Sequence, residues 1–239
     1  MKTIILGDTH GRSFWKSIVT IENADRVIFI GDYFDSWDIG GEAQINNFLD
    51  IIEFKKTYGK EVILLIGNHD HHYFKRVGYS GTSGYQPPPY PLLIEEVLEQ
   101  NKEHLQMAYQ FDSILCTHAG VTETWLEHVG WDGVEDKSIF INNIWKYKPL
   151  AFCFGDFGRR ADPSGNNIWQ SPIWVRPESL MRDRHNFKKD IIQVVGHTQQ
   201  RKIDIEGKAT GGRYYFIDTL GTSGEYLVIK NNIFYTNKI

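Results

Sequence analysis

Six side chains with oxygen or imidazole ligand atoms stand at the ends of short apolar segments in this sequence. They are Asp8, His10, Asp32, Asn68, His118 and His197. This donor set contains no thiolate and suits Mn²⁺, Fe or Zn²⁺ better than Cu(I). Six ligands are too many for one ordinary site, but they suit two ions about 3.5–4 Å apart that share a carboxylate. Such a pair favours in-line displacement at phosphorus, because phosphoryl transfer spreads negative charge over the equatorial oxygens.

The apolar segments that precede these residues predict buried strands. Residues 27–30 are Val-Ile-Phe-Ile and lead into Gly31 and Asp32, and residues 3–6 and 62–66 end in the same way. Continuous apolar runs are typical of strands covered on both faces, as in a parallel sheet. The loops at the carboxyl ends of such strands converge on the ligand site of an open α/β sheet. We therefore expect the polar residues of all three segments at one edge.

The segments between and after these strands complete an α/β pattern. Helices are predicted at 13–21, with Ser13 as N-cap, and at 43–58, before Gly59. The βαβαβ order predicts right-handed crossovers and a mainly parallel core. Further along, the sequence predicts a Gly/Pro-rich loop at 78–91, a helix at 92–104, a hairpin at 106–117, and strands at 191–195, 213–218, 225–229 and 233–236. We expect one domain, 1–239, with a helical and loop cap at about 121–188.

Composition excludes several classes of protein. The net charge of -4 argues against stable binding of nucleic acid through its phosphates. Apolar runs fall short of the roughly 20 residues that a membrane span needs. Cys116 and Cys153 are the two cysteines, and residues 1–3 already lead into a strand, which leaves no room for a signal peptide. These features predict a protein of the reducing cytoplasm, with the cysteines as small buried hydrophobes.

Five motifs resemble those of a known superfamily. They are Gly7-Asp8-Thr9-His10-Gly11, Gly31-Asp32-Tyr33-Phe34-Asp35, Gly67-Asn68-His69-Asp70, His118-Ala119-Gly120 and Gly196-His197-Thr198. Their types and order resemble the motifs of the calcineurin-like metallophosphoesterases, in particular the phosphoprotein-phosphatase-like and bacterial or phage-type branch. A nuclease of the double-strand-break type usually carries a second histidine two places after the first in the last motif, where this chain has Gln199.

The resemblance implies a fold, a metal centre and an acid catalyst. The fold would be two mixed, mainly parallel-cored β-sheets packed as a sandwich and flanked by helices. Asp8, His10 and Asp32 would hold one ion, and Asp32, Asn68, His118 and His197 the other, with manganese expected first and iron or zinc as alternatives. His69 would protonate the leaving alkoxide after attack by a bridging hydroxide, and Asp35 would accept the other ring proton of His69.

One part of the pattern is missing. The phosphoprotein-phosphatase branch has Arg-Gly after the second motif, where this chain has Ser36-Trp37, so one phosphate-binding guanidinium is absent. Arg176 stands in a Trp-x-Arg context that resembles the phage-type members and is our candidate for the phosphate clamp. Arg12, Arg159 and Arg160 are further candidates. The alternative for each of the four is an ordinary surface arginine.

The remaining polar residues of these motifs have simpler expected roles. His71 and His72 extend the imidazole run after Asn68 and are expected to be solvated, because the ligand set is already complete. Asp38 is interpreted as a turn residue and Asp70 as a structural hydrogen-bond acceptor.

The function predicted is hydrolysis of phosphomonoesters, on a phosphoprotein or a nucleotide-type substrate. One alternative is hydrolysis of a dinucleoside polyphosphate or of a phosphodiester such as an RNA 2′,3′-cyclic end. Tyr79, Tyr85 and Tyr90 in the 78–91 loop would then stack bases, although packing of these rings onto the body is the simpler interpretation. A second alternative is a non-catalytic binding module, which the complete ligand set disfavours.

Overall fold

The computed structural model describes residues 1–58, 61–77, 84–155, 162–183, 191–206 and 213–239. Predictions that fall on Gly59, Tyr79, Arg159, Arg160 and the other residues between these ranges lie outside the described part. Within it, no helix combines the length and the apolar character needed to cross a membrane.

The described strands form two sheets. The strands of the first sheet are β1 (Lys2–Leu6), β2 (Arg26–Phe29), β3 (Glu61–Leu65), β4 (Leu105–Gln106), β10 (Glu225–Lys230) and β11 (Ile233–Lys238). Those of the second are β5 (Ala108–Phe111), β6 (Ile114–Thr117), β7 (Ile192–Val195), β8 (Asp204–Glu206) and β9 (Tyr214–Phe216). The first sheet has the order β11-β10-β1-β2-β3-β4 and the second the order β5-β6-β7-β9-β8.

Both sheets have a parallel centre. Strands β1, β2, β3 and β4 pair in parallel, and so do β6, β7 and β9, whereas the pairs β1–β10, β10–β11, β5–β6 and β8–β9 are antiparallel. The predicted α/β fold with two mixed sheets is therefore confirmed. Its parallel centres matter for the site, because they bring the carboxyl ends of several strands to one side.

The helices follow in chain order and lie mostly where they were expected. They are α1 (Trp15–Glu22), α2 (Gly41–Thr57), α3 (Asn68–His71), α4 (Tyr90–Gln100), α5 (Glu123–Val129), α6 (Lys137–Tyr147) and α7 (Pro177–Arg182), with 3₁₀ turns at Lys102–His104 and Pro149–Phe152. The predicted N-cap of α1 was wrong. Phe14 takes that position without a side-chain cap, and Ser13 instead accepts a backbone hydrogen bond from Lys16.

Alternate side chains of the central strands enter two different cores. Ile4, Leu6 and Phe29 pack with the helices, whereas Ile5 and Ile28 pack with residues of the second sheet, including Ile114, Cys116 and Val194. The central strands are therefore buried on both faces, which explains their uninterrupted apolar sequence. Cys116 is buried as predicted, and Cys153 is partly buried.

The region 121–188 contains short helices and loops wherever it is described. The helices α5, α6 and α7 alternate with irregular segments, and Trp125, Trp145 and Phe152 join the core cluster on the helical face of the first sheet or pack against it. The single-domain organisation with a cap stays a prediction.

Candidate active site

Glycines at the strand ends allow the polar residues of neighbouring loops to approach one another. A Cβ atom on Gly67, after β3, would overlap Oδ1 of Asp32, and one on Gly196, after β7, would overlap Oδ1 of Asp8. The missing side chains therefore make room for two carboxylates. This close contact gives a steric reason for glycine in two of the five motifs.

The backbone is unusual at four of the motif residues. Their φ angles lie in the left-handed region, which residues other than glycine seldom adopt. The angles are 43° at His10, 53° at Asp32, 63° at Asp35 and 64° at His197. Such conformations cost about 1–3 kcal/mol each and cluster at functional sites.

The first group of predicted ligands is Asn68, His118 and His197. Oδ1 of Asn68 lies 2.9 Å from Nε2 of His118 and 2.8 Å from Nδ1 of His197. His118 Nδ1 lies 3.1 Å from the carbonyl oxygen of Ile30, which can only accept a hydrogen bond, so Nδ1 carries the ring proton. In the neutral His118 ring, Nε2 then presents a lone pair towards the Asn68 oxygen. A cation among these atoms would relieve the repulsion, because each of them would donate a lone pair to it.

The second group is Asp8, His10 and Asp32. These residues offer ligand atoms that all lie within 4.8 Å of one another. His10 Nδ1 lies 2.6 Å from the carbonyl oxygen of Phe34, which leaves Nε2 facing Asp32 Oδ2 at 3.8 Å. The same Asp32 oxygen lies 3.3 Å from His118 Nε2, so Asp32 contacts both groups.

The charges of this site fit a divalent cation. Burial, followed by the nearby carboxylates of Asp218 and Asp32, raises the pKa of Asp8 well above its ordinary value. Burial also acts to raise the pKa of Asp32, but the imidazoles of His118 and His69 lower it overall. Buried carboxylates that repel one another are stabilised by a metal ion, and oxygen and imidazole donors are the appropriate ligands.

His69 and Asp35 form the predicted pair. His69 Nδ1 lies 2.9 Å from Asp35 Oδ2, and the His69 backbone N–H donates to Asp32 Oδ1 at 2.9 Å. Burial acts to lower the pKa of His69, but the carboxylates of Asp32 and Asp35 raise it overall. The imidazolium form, which can donate a proton, is therefore favoured.

Asp70 ties two of the motif loops together. Its carboxylate accepts hydrogen bonds from the backbone N–H groups of Asp32 at 2.8 Å, Tyr33 at 2.7 Å and Gly67 at 2.9 Å. The prediction that Asp70 is a structural acceptor is confirmed, and the contacts fix the loop after β2 against the loop after β3.

The prediction for His71 and His72 was wrong, because both are buried, at 2% exposure each. Both side chains turn into the interior, where each finds a polar partner. His71 Nε2 lies 3.2 Å from the carbonyl oxygen of Pro149, and burial lowers the pKa of this ring to about 3. His72 Nε2 lies 2.9 Å from Asp35 Oδ2, so two imidazoles share one carboxylate.

A cavity of about 600 Å³ opens above these residues. Its lining includes the proposed acid pair His69 and Asp35 and the arginines Arg12 and Arg176. It also includes five of the six predicted ligands, which are Asp8, His10, Asp32, Asn68 and His197. His118 lies beneath, fully buried.

Arg176 is held at this cavity by hydrogen bonds to Ser164, to Thr198 and, at 3.4 Å, to the carbonyl oxygen of His197. Nε donates to the carbonyl oxygen of Ser164 at 2.6 Å, and Nη1 donates to Thr198 Oγ1 at 3.1 Å. Burial lowers the pKa of Arg176, whereas the carboxylate of Asp32 acts to raise it.

Asp218 is a site residue that the sequence interpretation missed. It is 7% exposed, lies close enough to Asp8 for each carboxyl group to affect the pKa of the other, and lines the cavity. Burial and the nearby carboxylate of Asp32 raise its pKa to about 6. The usable signal was the same strand-then-carboxylate pattern, because Asp218 follows β9, which lies parallel to β7. The predicted strand extended through residue 218, whereas β9 ends at Phe216, so Asp218 was not recognised as a residue at a strand end.

Comparisons with known proteins agree with this architecture. A cold-active protein-tyrosine phosphatase of a psychrophilic Shewanella has a similar fold, with a TM-score of 0.60 and 17% identity over 98% of this chain and 77% of that chain. A point mutant of a cold-active protein-tyrosine phosphatase gives a TM-score of 0.63 at 16% identity, with the same coverage. A putative diadenosine tetraphosphatase matches with a TM-score of 0.49 and 14% identity, over 99% of this chain and 92% of that chain.

No curated protein sequence matches this chain significantly. The family model described as calcineurin-like phosphoesterase, however, matches residues 1–218, which include all five motifs. The chain therefore belongs to the calcineurin-like phosphoesterase family and is a metal-dependent hydrolase of phosphate esters.

Proposed function

We propose that this protein is a dinuclear phosphomonoesterase that acts on a phosphoprotein or nucleotide-type substrate. The observation that carries the proposal is the position of Asp32, whose Oδ2 lies 3.3 Å from His118 Nε2 and 3.8 Å from His10 Nε2. One carboxylate between two ligand groups is the arrangement that two neighbouring ions require.

For the ligands we propose the division that the resemblance implies. Asp8, His10 and Asp32 would hold one ion, and Asp32, Asn68, His118 and His197 the other. When bound, the two cations supply a nucleophile by lowering the pKa of water, and they neutralise charge on the phosphoryl oxygens. Manganese is the metal to test first, with iron and zinc as alternatives.

The protein groups act on the phosphate and on the leaving group. Arg176 would bind phosphoryl oxygens through its planar guanidinium, which is already oriented by Ser164 and Thr198. His69 would donate a proton to the leaving oxygen, and Asp35 would accept a hydrogen bond from the Nδ1–H of His69 and so fix the ring. The raised pKa of His69 supports this role.

The substrate proposal rests on the cavity and on the family. A phosphorylated protein is a reasonable first substrate class, because the fold resembles that of a protein-tyrosine phosphatase. A nucleotide-type substrate is supported by Trp37, whose side chain borders the cavity and is 83% exposed, as a base-stacking platform would be. Tyr85 and Tyr90 give no such support, since both pack against the core. The cytoplasmic location stays a prediction.

The test is hydrolysis of an aryl phosphate by metal-stripped protein reloaded separately with Mn²⁺, Fe²⁺ and Zn²⁺. We expect metal-dependent turnover, two bound ions per chain, and a loss by orders of magnitude in Asp32→Ala. Asp50→Ala is the matched control, because Asp50 is a half-exposed carboxylate paired with Lys16 outside the cavity. Normal turnover by Asp32→Ala would refute the proposal. Comparing a phosphopeptide, diadenosine tetraphosphate and an aryl diester then separates the substrate classes.

A further inference from the structure

The loop that lacks the expected arginine holds a different polar network. Ser36 replaces that arginine, and its hydroxyl donates to Asp38 Oδ1 at 2.7 Å and accepts from the backbone N–H of Ile39 at 3.3 Å. The Asp38 carboxylate is thereby oriented, and the Ser36 hydrogen bond together with the nearby Arg12 guanidinium holds its pKa below the ordinary value.

Asp38 in turn holds Arg12. Nη2 of Arg12 lies 3.0 Å from Oδ1 and 3.3 Å from Oδ2 of Asp38. Within the described ranges, the side-chain hydrogen bonds of Arg12 all come from Nη2. The N–H groups of Nε and Nη1 can therefore donate to another acceptor. Arg12 lines the cavity with His10 and Asp218, and its side chain is 21% exposed.

The backbone around Arg12 is fixed as well. The Arg12 N–H donates to the carbonyl oxygen of Thr9 at 2.9 Å, and the Arg12 carbonyl accepts from Asn47 Nδ2 at 3.4 Å. The preceding Gly11 has φ of 77°, and a side chain there would collide with Gln44. The guanidinium therefore begins from a rigid turn that also carries the predicted metal ligand His10.

Among the described residues, the arginines that line the cavity are Arg12 and Arg176, and they are anchored to loops of different sheets. Arg12 follows β1 of the first sheet and is tied to the loop after β2, whereas Arg176 is tied to Thr198, which follows β7 of the second sheet. A phosphomonoester dianion has three terminal oxygens to share between metal ions and guanidinium groups, whereas a diester has two and one negative charge less. Two arginines therefore favour the monoester.

We infer that Arg12 is a second phosphate-binding residue, positioned by Asp38 and Ser36, and that it selects phosphomonoesters over diesters. This inference rests on the proposed phosphoesterase function and names a residue of the same cavity that would select its substrate class. It also explains how this chain functions with Ser36-Trp37 in place of Arg-Gly after the second motif. Arg12, which follows the first motif, provides the guanidinium that is missing there, and Ser36 helps to orient the Asp38 carboxylate that binds Arg12.

The experiment compares wild type with Arg12→Gln, Arg12→Lys and Asp38→Asn on one aryl monoester and one aryl diester. Arg12→Gln should lower kcat/KM for the monoester by about 10- to 100-fold and for the diester by less than about fivefold. Arg12→Lys should give an intermediate loss, because it keeps the charge without the planar fork. Asp38→Asn should give a smaller loss with the same monoester bias. Arg182→Gln, an arginine paired with Glu178 outside the cavity, is the control and should match wild type.

A second measurement is independent of turnover. Calorimetry with inorganic phosphate on the manganese-loaded protein should show binding at least about tenfold weaker in Arg12→Gln, with unchanged metal content. Equal losses on monoester and diester, or reduced metal content, would assign Arg12 to support of His10 and overturn the inference. So would a variant within twofold of wild type in turnover and phosphate affinity. An inactive wild type would contradict the proposed function, and phosphate affinity would then still decide the role of Arg12.

Discussion

The floor and the rim of the cavity differ in what holds their side chains. The floor comprises Asp8, His10, Asp32, Asn68, His118 and His197, each just after a parallel strand, with neighbouring loops in contact through glycine. The rim comprises Arg12, Trp37 and Arg176, on loops whose positions depend on side-chain contacts such as Arg12–Asp38 and Arg176–Thr198. Backbone topology thus determines the positions of the floor side chains, whereas local polar contacts determine the positions of the rim side chains.

The difference has a chemical counterpart. Metal ligands must be placed to within a few tenths of an ångström, and strand ends provide that accuracy. A rim that binds substrates can vary without disturbing the centre below it. We therefore expect changes at the floor to affect all substrates, and changes at the rim to affect substrates selectively.

The largest selective effect is expected at His69, which lies on helix α3 with Asn68 and is the proposed proton donor to the leaving group. His69→Ala should reduce turnover of alkyl phosphates by about 10²- to 10⁴-fold, because an alkoxide needs a proton as it leaves. Aryl phosphates with acidic leaving groups should lose far less. Steady-state kinetics across a series of leaving groups measures this, with His104→Ala as a control at a histidine that does not line the cavity. Parallel losses along the series would remove the acid role.

Gly67→Ala tests whether backbone proximity sets the floor. The new Cβ would overlap Asp32 Oδ1 and shift the carboxylate that contacts both ligand groups. We expect turnover of every substrate to fall by about 10²-fold, together with metal content, since displacements of about 1 Å have effects of that size. Gly40→Ala is the control, because a Cβ there meets no described atom within 4 Å. Full metal content and activity in Gly67→Ala would contradict the comparison.

Arg176→Gln tests the rim on the side of the second sheet. It should raise KM for phosphomonoesters and lower kcat/KM by about 10- to 100-fold, because hydrogen bonds from a guanidinium to charged oxygens are lost. Metal content should stay at the wild-type level. A loss of bound metal would instead show that Arg176 supports His197, whose carbonyl lies 3.4 Å from Nη1.

His71 connects helix α3 to the 3₁₀ turn at Pro149–Phe152, and its expected effect is on stability. Its folded-state pKa is about 3, against 6.5 for the ordinary group. Below about pH 6.5 the His71 ring therefore binds a proton in the unfolded chain but stays neutral in the folded chain. The contribution of His71 to the free energy of unfolding is thus at its full value above that pH. The free energy of unfolding should fall by about 1 kcal/mol per pH unit between about pH 6 and 4. Urea unfolding of wild type and His71→Phe at pH 7, 6 and 5 measures this, and the variant should show the shallower decline. Identical slopes would contradict the assignment.

The floor could be predicted from sequence because its pattern is local. An apolar run followed by glycine and a polar residue identifies a strand end, and parallel strands bring those ends together. Asp8, Asp32, Asn68 and His197 were all located in this way. Asp218 carries the same pattern more weakly, because β9 is only three residues long and its end was misplaced.

The rim and the supporting contacts could not be predicted in the same way. The pairing of Arg12 with Asp38 joins residues 26 positions apart through two loops, and no periodicity marks it. The burial of His72 depends on how the turn after α3 packs beneath Asp35. Both arrangements depend on tertiary packing, which a single sequence does not reveal when its residues are polar and their segments irregular.

The hydrogen bonds of the Asp70 carboxylate affect how the protein binds metal ions. Three backbone donors from two loops converge on it, so the separation of Asp32 from Asn68 is established when the chain folds. The entropy of ordering these loops is then lost before any ion arrives, and ion binding need not supply it. Metal-free protein should therefore keep amide protection at Asp32, Tyr33 and Gly67 in hydrogen exchange, and capture of the cations should proceed without a folding step.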